Sequence, residues 1–247
     1  MRHHSEKREA VIESNPAVLS STLATLFPDG AVVAELRGPG NVNLLLPAEA
    51  AHLGRSVPQR AGEFAAGRLC ARRALAQIGI VDFAIEAAAD RRPLWPPSVV
   101  GSITHTDDFC AAVVAERSLL AAIGMDSEGA ARVKLELWKS ICVPEEIEWL
   151  HSLAESERVA GASLIFSAKE AFYKCQYPLT GQFLGFHAVR TQVASFRAAR
   201  GSFRIDATRD IAFAQHATFP MEGEYLFHER WVTAAVCVAA GRAAPGA

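Results

Sequence analysis

Three short stretches of this sequence hold residue types that do chemistry at workable spacings. The first is Gly124-Met-Asp-Ser-Glu128, at the end of an apolar run from Leu119 to Asp126 that reads as a strand. Side chains alternate along a strand, so Asp126 and Glu128 project from the same side. Two such carboxylates repel unless a proton or cation lies between them, and a hard, oxygen-seeking metal is the cation that suits them. A solvated turn with two ordinary acids fits the same residues. The second stretch is Phe166-Ser-Ala-Lys-Glu-Ala-Phe-Tyr-Lys174. On a helix Glu170 and Lys174 are i, i+4 neighbours in the favourable order, and Ser167 and Glu170 have capping-box spacing. The plain reading is a surface ion pair. Phe166, Phe172 and Tyr173 argue instead for a largely buried helix, where charge is costly. The third stretch, Gly101-Ser-Ile-Thr-His-Thr106, is a strand ending in hydroxyls and a histidine. Ser102, His105 and Asp107 lie too close along one strand to converge as a hydrolase triad. A structural histidine is one alternative; Arg91 and Arg92 upstream favour an anion site.

Elements must carry these residues to one place. The pattern stays helical from Ser56-Val-Pro-Gln59, which has capping-box form, to Gly79. On that helix Arg60, Arg68 and Arg72 fall within an arc of about 120°, which also contains Phe64 and Leu75. Arg73 points elsewhere. Seven arginines lie between Arg55 and Arg92 against four acids (Glu63, Asp82, Glu86, Asp90), a local positive excess that suits a compact polyanion. An arginine-rich codon usage would leave the same excess.

Further helices are expected over Val18–Phe27, Pro47–Leu53, Ala130–Ile141, Pro144–Leu153 and Ala160–Lys174, with Tyr177-Pro178 ending the last. Strands are expected over Ala31–Leu36, Val99–Thr104, Cys110–Ala115, Leu119–Asp126, Ser202–Asp206, Ile211–Ala214, Tyr225–Phe227 and Val232–Ala239. The gap Glu116-Arg-Ser118 is hairpin-sized. Cys110-Ala-Ala-Val-Val-Ala115 and Thr233-Ala-Ala-Val-Cys-Val-Ala239 echo each other, a few residues after His105 and His228. Helices interleaved with antiparallel hairpins indicate an α+β fold.

Composition bounds the class. Of 247 residues, 50% are hydrophobic and 21% charged, which is globular and not disordered. Five scattered cysteines without C-x-x-C argue against a disulfide framework or a structural zinc, and for a reducing cytoplasmic setting. The N-terminus is charged, His3 and His4 are given no function, and no apolar run reaches the roughly 20 residues of a membrane span. A net charge of −2 gives no reason to expect nucleic acid. Dinucleotide, P-loop, zinc-hydrolase and nucleophile-elbow motifs are all missing from the sequence.

The ordered set of arginine helix, R-R-P loop, S-I-T-H, G-M-D-S-E and F-S-A-K-E-A-x-x-K resembles the 4′-phosphopantetheinyl transferase superfamily, specifically the long Sfp-type enzymes that include enterobactin-synthase activators. The resemblance runs from about Leu46 to Phe186, and Tyr177-Pro-Leu-Thr-Gly-Gln-Phe-Leu-Gly-Phe186 adds a loop of the siderophore type. It implies two pseudo-symmetric halves, residues 1–122 and 123–247, each an antiparallel sheet packed with helices, with a ligand cleft between them. It also implies transfer of phosphopantetheine from coenzyme A to a serine of an acyl, peptidyl or aryl carrier protein by a monomer. On this chain it implies Mg²⁺ on Asp126, Glu128, Glu170 and the Ser127 carbonyl. Arg55, Arg60 and Arg68 would meet the 3′-phosphate, Asp90, Arg91, Arg92 and Pro93 the adenine, and Thr104 and His105 a phosphate. Lys174 would sit on the pyrophosphate with Lys169 as a helper, and Glu170 and Lys174 would be the catalytic pair. Met125 stands where isoleucine or leucine is usual, and the R-R before Pro93 departs from the lysine or glycine often found there. A different coenzyme A-dependent acyltransferase, or a silent module binding coenzyme A or a carrier protein, are the competing readings.

Overall fold

The computed structural model describes residues 21–194, 196 and 199–241. Where a helix is expected over Val18–Phe27, the described part holds a 3-10 turn, Thr22–Leu26; residues 18–20 lie outside the described part. The chain continues through β1 (Val32–Arg37), α1 (Pro47–Ala50), α2 (Pro58–Gln77), β2 (Val99–Thr106), β3 (Phe109–Glu116) and β4 (Leu120–Gly129). Then come α3 (Trp138–Ile141), α4 (Pro144–Ser152), α5 (Glu155–Thr180), β5 (Val189–Val193), β6 (Arg200–Ala207), β7 (Met221–His228) and β8 (Trp231–Ala239).

Two antiparallel sheets result, one in the order β1-β3-β2 and one in the order β4-β8-β7-β6-β5. The echoing segments are β3 and β8, which lie inside their sheets and are buried almost end to end. Period-two alternation sorts β3 between two cores. Cys110, Ala112 and Val114 pack with Ala71, Ala74 and Leu75 of α2. Ala111, Val113 and Ala115 pack with Ile123, Met125 and Trp231 of the second sheet. On the far face of that sheet Leu164, Ala168 and Phe172 of α5 meet Phe203, Tyr225 and Val232. The fold is α+β, with two sheets facing each other and a long helix on the outer side of each.

Several expectations are corrected. Glu116-Arg-Ser118 closes no hairpin: β4 pairs with β8, so this gap carries the chain from one sheet to the other. The tight hairpin is β2–β3, turned at Asp107 with φ of 31°. Helix α2 is capped by the backbone of Val57 and begins at Pro58, while the Ser56 hydroxyl bonds the Leu53 carbonyl; the capping box is not formed. Ser167 lies in mid-helix, and its hydroxyl bonds the Asp126 carbonyl at 2.8 Å, so it caps nothing either. Pro178 does not end α5. Lacking an N–H, it forgoes one i→i−4 bond, yet the helix runs on past it and stops at Gly181, whose φ of 63° suits glycine. Residues 130–141 form a turn, a 3-10 segment and the short α3, and Ile211–Ala214 lies at a 3-10 turn, not a strand. Among the described residues no helix is long and apolar enough to cross a membrane, and the five cysteines are unpaired thiols.

Candidate active site

Strand β2 lies against β4 without joining its sheet, and the hydroxyls of the S-I-T segment make the connection. Ser102 Oγ accepts from the Met125 amide at 3.0 Å, and Thr104 Oγ1 accepts from the Ser127 amide at 2.8 Å. Residues 102 and 104 share a face, so two side chains replace a backbone ladder. On the other side α5 presses onto β4 at Gly124, where an added Cβ would stand 1.9 Å from the Ala171 carbonyl. The glycine of G-M-D-S-E thus sets how closely the helix carrying Glu170 and Lys174 approaches the strand carrying Asp126 and Glu128.

The Lys174 ammonium donates to Asp126 Oδ1 at 2.7 Å and to the carbonyls of Met125 and Ile103 at 3.2 and 3.3 Å. Asp126 is buried, and its Oδ2 has no hydrogen-bond partner. Burial, then the charges of Asp126 and Glu170, push the Glu128 carboxyl up to about 7, against the lowering pull of Arg132 and Lys174. Arg132 Nε faces Glu128 at 3.0 Å, though not at a hydrogen-bonding angle. Burial and the Asp126 charge also raise Glu170. Three carboxylates therefore feel one another across β4 and α5. Among the described residues no three such groups converge into a complete metal cage. Oxygen donors, mutual repulsion and the unpartnered Asp126 oxygen fit a small divalent cation that takes few protein ligands and fills its shell with phosphate and water. The Ser127 amide points to β2, and in an antiparallel strand a residue's carbonyl shares that edge.

A cleft of about 490 Å³ opens beside this group, lined by Asp90–Pro97, by Gly101–Ile103 of β2, by Ala121–Ile123 of β4, and by Glu170, Tyr173, Lys174 and Tyr177 of α5. Its Asp90–Pro93 wall is a tight loop. Ala88 and Arg92 bond through their backbones, Arg91 sits at φ of 70°, and Asp90 holds the Arg92 amide and guanidinium, both at 3.2 Å. A second cavity of about 290 Å³, lined by Lys169, Glu170, Phe172, Tyr173, Phe183–Phe186 and Val189, adjoins it. Glu170 and Tyr173 line both.

The other expected residues divide. Arg60 is exposed and meets Glu63 at 3.4 Å, and Glu63 stands 4.0 Å from His105 Nδ1, which links Arg60 to the end of β2. Burial holds the His105 imidazole below its ordinary value. Arg55 is exposed in the turn before α2. Arg68 is buried, its Nε on the Ile85 carbonyl at 2.7 Å and its guanidinium 4.2 Å from the Phe64 ring; burial lowers it to about 10. Lys169 is not brought to this group. Its ammonium is buried on Glu146, at 2.7 Å. Glu63, Tyr173 and Glu146 were not singled out from sequence. Tyr173 and Tyr177 stack four residues apart, at 5.3 Å, a spacing readable in F-Y-K-C-Q-Y. The other two are long-range contacts with no local signature.

Residues 48–115 match the family model described as 4′-phosphopantetheinyl transferase N-terminal domain, and residues 122–236 match that of the 4′-phosphopantetheinyl transferase superfamily. The chain is similar to 4′-phosphopantetheinyl transferase Svp of Streptomyces mobaraensis, 40% identical over 66% of this chain and 68% of that protein. It is similar to 4′-phosphopantetheinyl transferase PptT of Mycobacterium tuberculosis, 36% identical over 68% of this chain and 74% of that one. With enterobactin synthase component D of Escherichia coli it shares 35% identity over 51% of this chain and 58% of the relative. The chain belongs to the 4′-phosphopantetheinyl transferase superfamily. Its activity is transfer of phosphopantetheine from coenzyme A to a carrier-protein serine. In this transferase Glu170, of the charged group between β4 and α5, lines both cavities, and Lys174 lines the larger.

Proposed function

We propose that coenzyme A lies across both cavities of the transferase, nucleotide in the larger and pantetheine in the smaller, with its pyrophosphate beside Asp126, Glu128, Glu170 and Lys174. The observation that carries this reading is that Glu170 and Tyr173 line both cavities. A ligand with an aromatic polyanionic end and a flexible, mostly apolar end needs that arrangement. Arg55 and Arg60 take the 3′-phosphate, with Arg68 behind them. Asp90, Arg91, Arg92 and Pro93 frame the adenine, and His105 faces a phosphate, with Thr104 beside it holding β2 on the Ser127 amide. Arginine suits these positions because its guanidinium binds phosphate oxygens in pairs. The first half of the chain, residues 1–122, thus reads the nucleotide, and residues 123–247 carry the reacting groups.

Asp126, Glu128, Glu170 and the Ser127 carbonyl would hold Mg²⁺, which when bound supplies positive charge to the pyrophosphate oxygens. In the reaction, the carrier serine oxygen bonds to the phosphorus next to pantetheine. The bond from that phosphorus to the bridging oxygen breaks, and 3′,5′-ADP departs with the electron pair. Glu170 takes the serine proton, and Lys174 offsets charge growing on the leaving group. The nucleophile comes from the partner, so the chain needs none of its own. We place the reaction in the cytoplasm, on carriers of siderophore or other secondary-metabolite synthesis. The test is mass spectrometry of an apo carrier protein incubated with coenzyme A, with and without Mg²⁺. One phosphopantetheine gained and 3′,5′-ADP released, only with the metal, is the expected result. Equal transfer with a chelator present refutes the metal assignment.

A further inference from the structure

Lys169, which lines the second cavity, belongs to an ion pair that the proposed reaction does not use. Lys169 and Glu146 are each about 1% exposed at the side chain and stand 2.7 Å apart. All three ammonium donors are engaged: besides Glu146 Oε2, Lys169 Nζ donates to the carbonyls of Ile141 and Phe186, each at 2.9 Å. The carboxylate is engaged as fully. Its Oε2 accepts from the Val143 amide at 2.8 Å and its Oε1 from the Thr191 amide at 2.6 Å. Five segments are thereby tied at one point: the end of α3, the start of α4, α5, the loop before β5, and β5 itself.

Packing alone does not account for such a pair. Taking two charges out of water costs several kcal/mol each, and well-packed apolar replacements are often as stable or more so. What the pair adds is directional. Lys169 precedes Glu170, and neighbours on a helix point about 100° apart. Anchoring Lys169 therefore fixes how α5 turns Glu170 toward the cleft. The bond to the Phe186 carbonyl fixes the opposite wall, Phe183–Phe186, against the same helix. At the tip of that wall Phe183 is 78% exposed and meets Tyr173 at 6.0 Å between ring centroids, while Leu184 packs into the core.

We propose that Glu146 and Lys169 are positioning residues that hold the Phe183–Phe186 wall in register with Glu170, so that the pantetheine end of coenzyme A is seated for attack. This rests on the reading of Glu170 and the second cavity given above. A misplacement of about 1 Å in such a seat is enough to cost a hundredfold in rate.

The experiment compares Lys169→Met, Lys169→Arg and the double variant Glu146→Leu/Lys169→Met with the wild type. In the double variant no buried charge is left unpaired, so it is expected to fold. Binding of 3′,5′-ADP, which reaches only the nucleotide end, should stay within about threefold of wild type. Turnover on an apo carrier protein should fall about tenfold or more, and amide hydrogen exchange at Leu184–Ala188 should quicken. A folded double variant with wild-type turnover and unchanged exchange overturns the proposal. If the double variant does not fold, Lys169→Arg decides, because its flat guanidinium keeps the charge but not three diverging donors; wild-type turnover there overturns the proposal too. If none of the three folds, the pair is a folding determinant and the positioning role falls. Glu170→Gln serves as the separate control. Full turnover in that variant refutes the base assignment, while the exchange data still report whether the pair holds the wall.

Discussion

Lys174 bonds oxygens of two strands and one carboxylate at once, so its ammonium is a cation already seated among the groups that would hold a metal. The carboxylates around it are not equivalent. Asp126 has that ammonium as its partner, whereas Glu128 has Arg132 at a poor angle and two negative neighbours. The same substitution should therefore act oppositely on stability. Glu128→Ala relieves repulsion, and the metal-free variant should melt at or above the wild-type temperature. Asp126→Ala strips a part-buried lysine of its counter-charge and should melt lower, by about 1–3 kcal/mol of stability in urea titrations. Both should lose transfer activity; near-normal turnover in either would remove it from the reacting set. Within the helix, Glu170→Gln keeps shape and loses charge, so turnover should collapse while coenzyme A still binds. Lys174→Ala should weaken binding and turnover together if, as proposed, its charge faces the pyrophosphate throughout. An ordinary i, i+4 surface pair would cost about 0.5 kcal/mol of stability and leave kinetics alone.

At the scale of elements, the site depends on how two pieces, α5 and β2, approach β4. Gly124 admits α5, and Ser102 and Thr104 tie down β2. Gly124→Ala should force the helix off the strand. The expected result is a loss of about 1–3 kcal/mol, as for overpacked cores, with transfer falling even in the folded fraction. A variant of wild-type stability and activity would show that the contact is not tight. These contacts explain what was legible in the sequence. The carboxylates, the arginine helix and most strands follow from period and composition, because each is local. Ser102 and Thr104 read as hydroxyls near a histidine, yet their structural task appears only once β4 lies beside them. The crossing from β3 to β4 looked like a hairpin because a short polar gap between apolar runs is the same whether the chain folds back or moves to the next sheet. Lys169 stood out as a candidate phosphate contact because sequence shows a charge beside Glu170 but not Glu146, 23 residues away.

At the scale of the whole molecule, two arginines on one arc of α2 have different tasks. Arg60 is exposed beside Glu63, and Arg68 is buried on the Ile85 carbonyl. Arg60→Ala should weaken coenzyme A more than 3′-dephospho-coenzyme A, because the shorter ligand lacks the phosphate proposed to meet this guanidinium. Equal losses by calorimetry would assign Arg60 elsewhere. Arg68→Ala should lower the melting temperature whichever ligand is present, since it opens a buried carbonyl and a ring face. An unchanged melting temperature would return Arg68 to the ligand.

The β3–β4 crossing has one more consequence. Between Glu116 and Leu120 the polypeptide passes between sheets over an exposed Arg117-Ser118 tip, while the sheets themselves meet through a shared apolar core and the β2 hydroxyls. Covalent continuity there contributes proximity more than contact. The transferase is thus a candidate for splitting: residues 1–117 and 118–247, expressed together, should reassemble into an enzyme whose activity depends on fragment concentration, because an intramolecular encounter has become a bimolecular one. Each fragment alone would expose one side of the shared core and should aggregate. Soluble, separately folded fragments that never restore transfer would mean that the linkage itself, and not the apposed surfaces, keeps the cleft in shape.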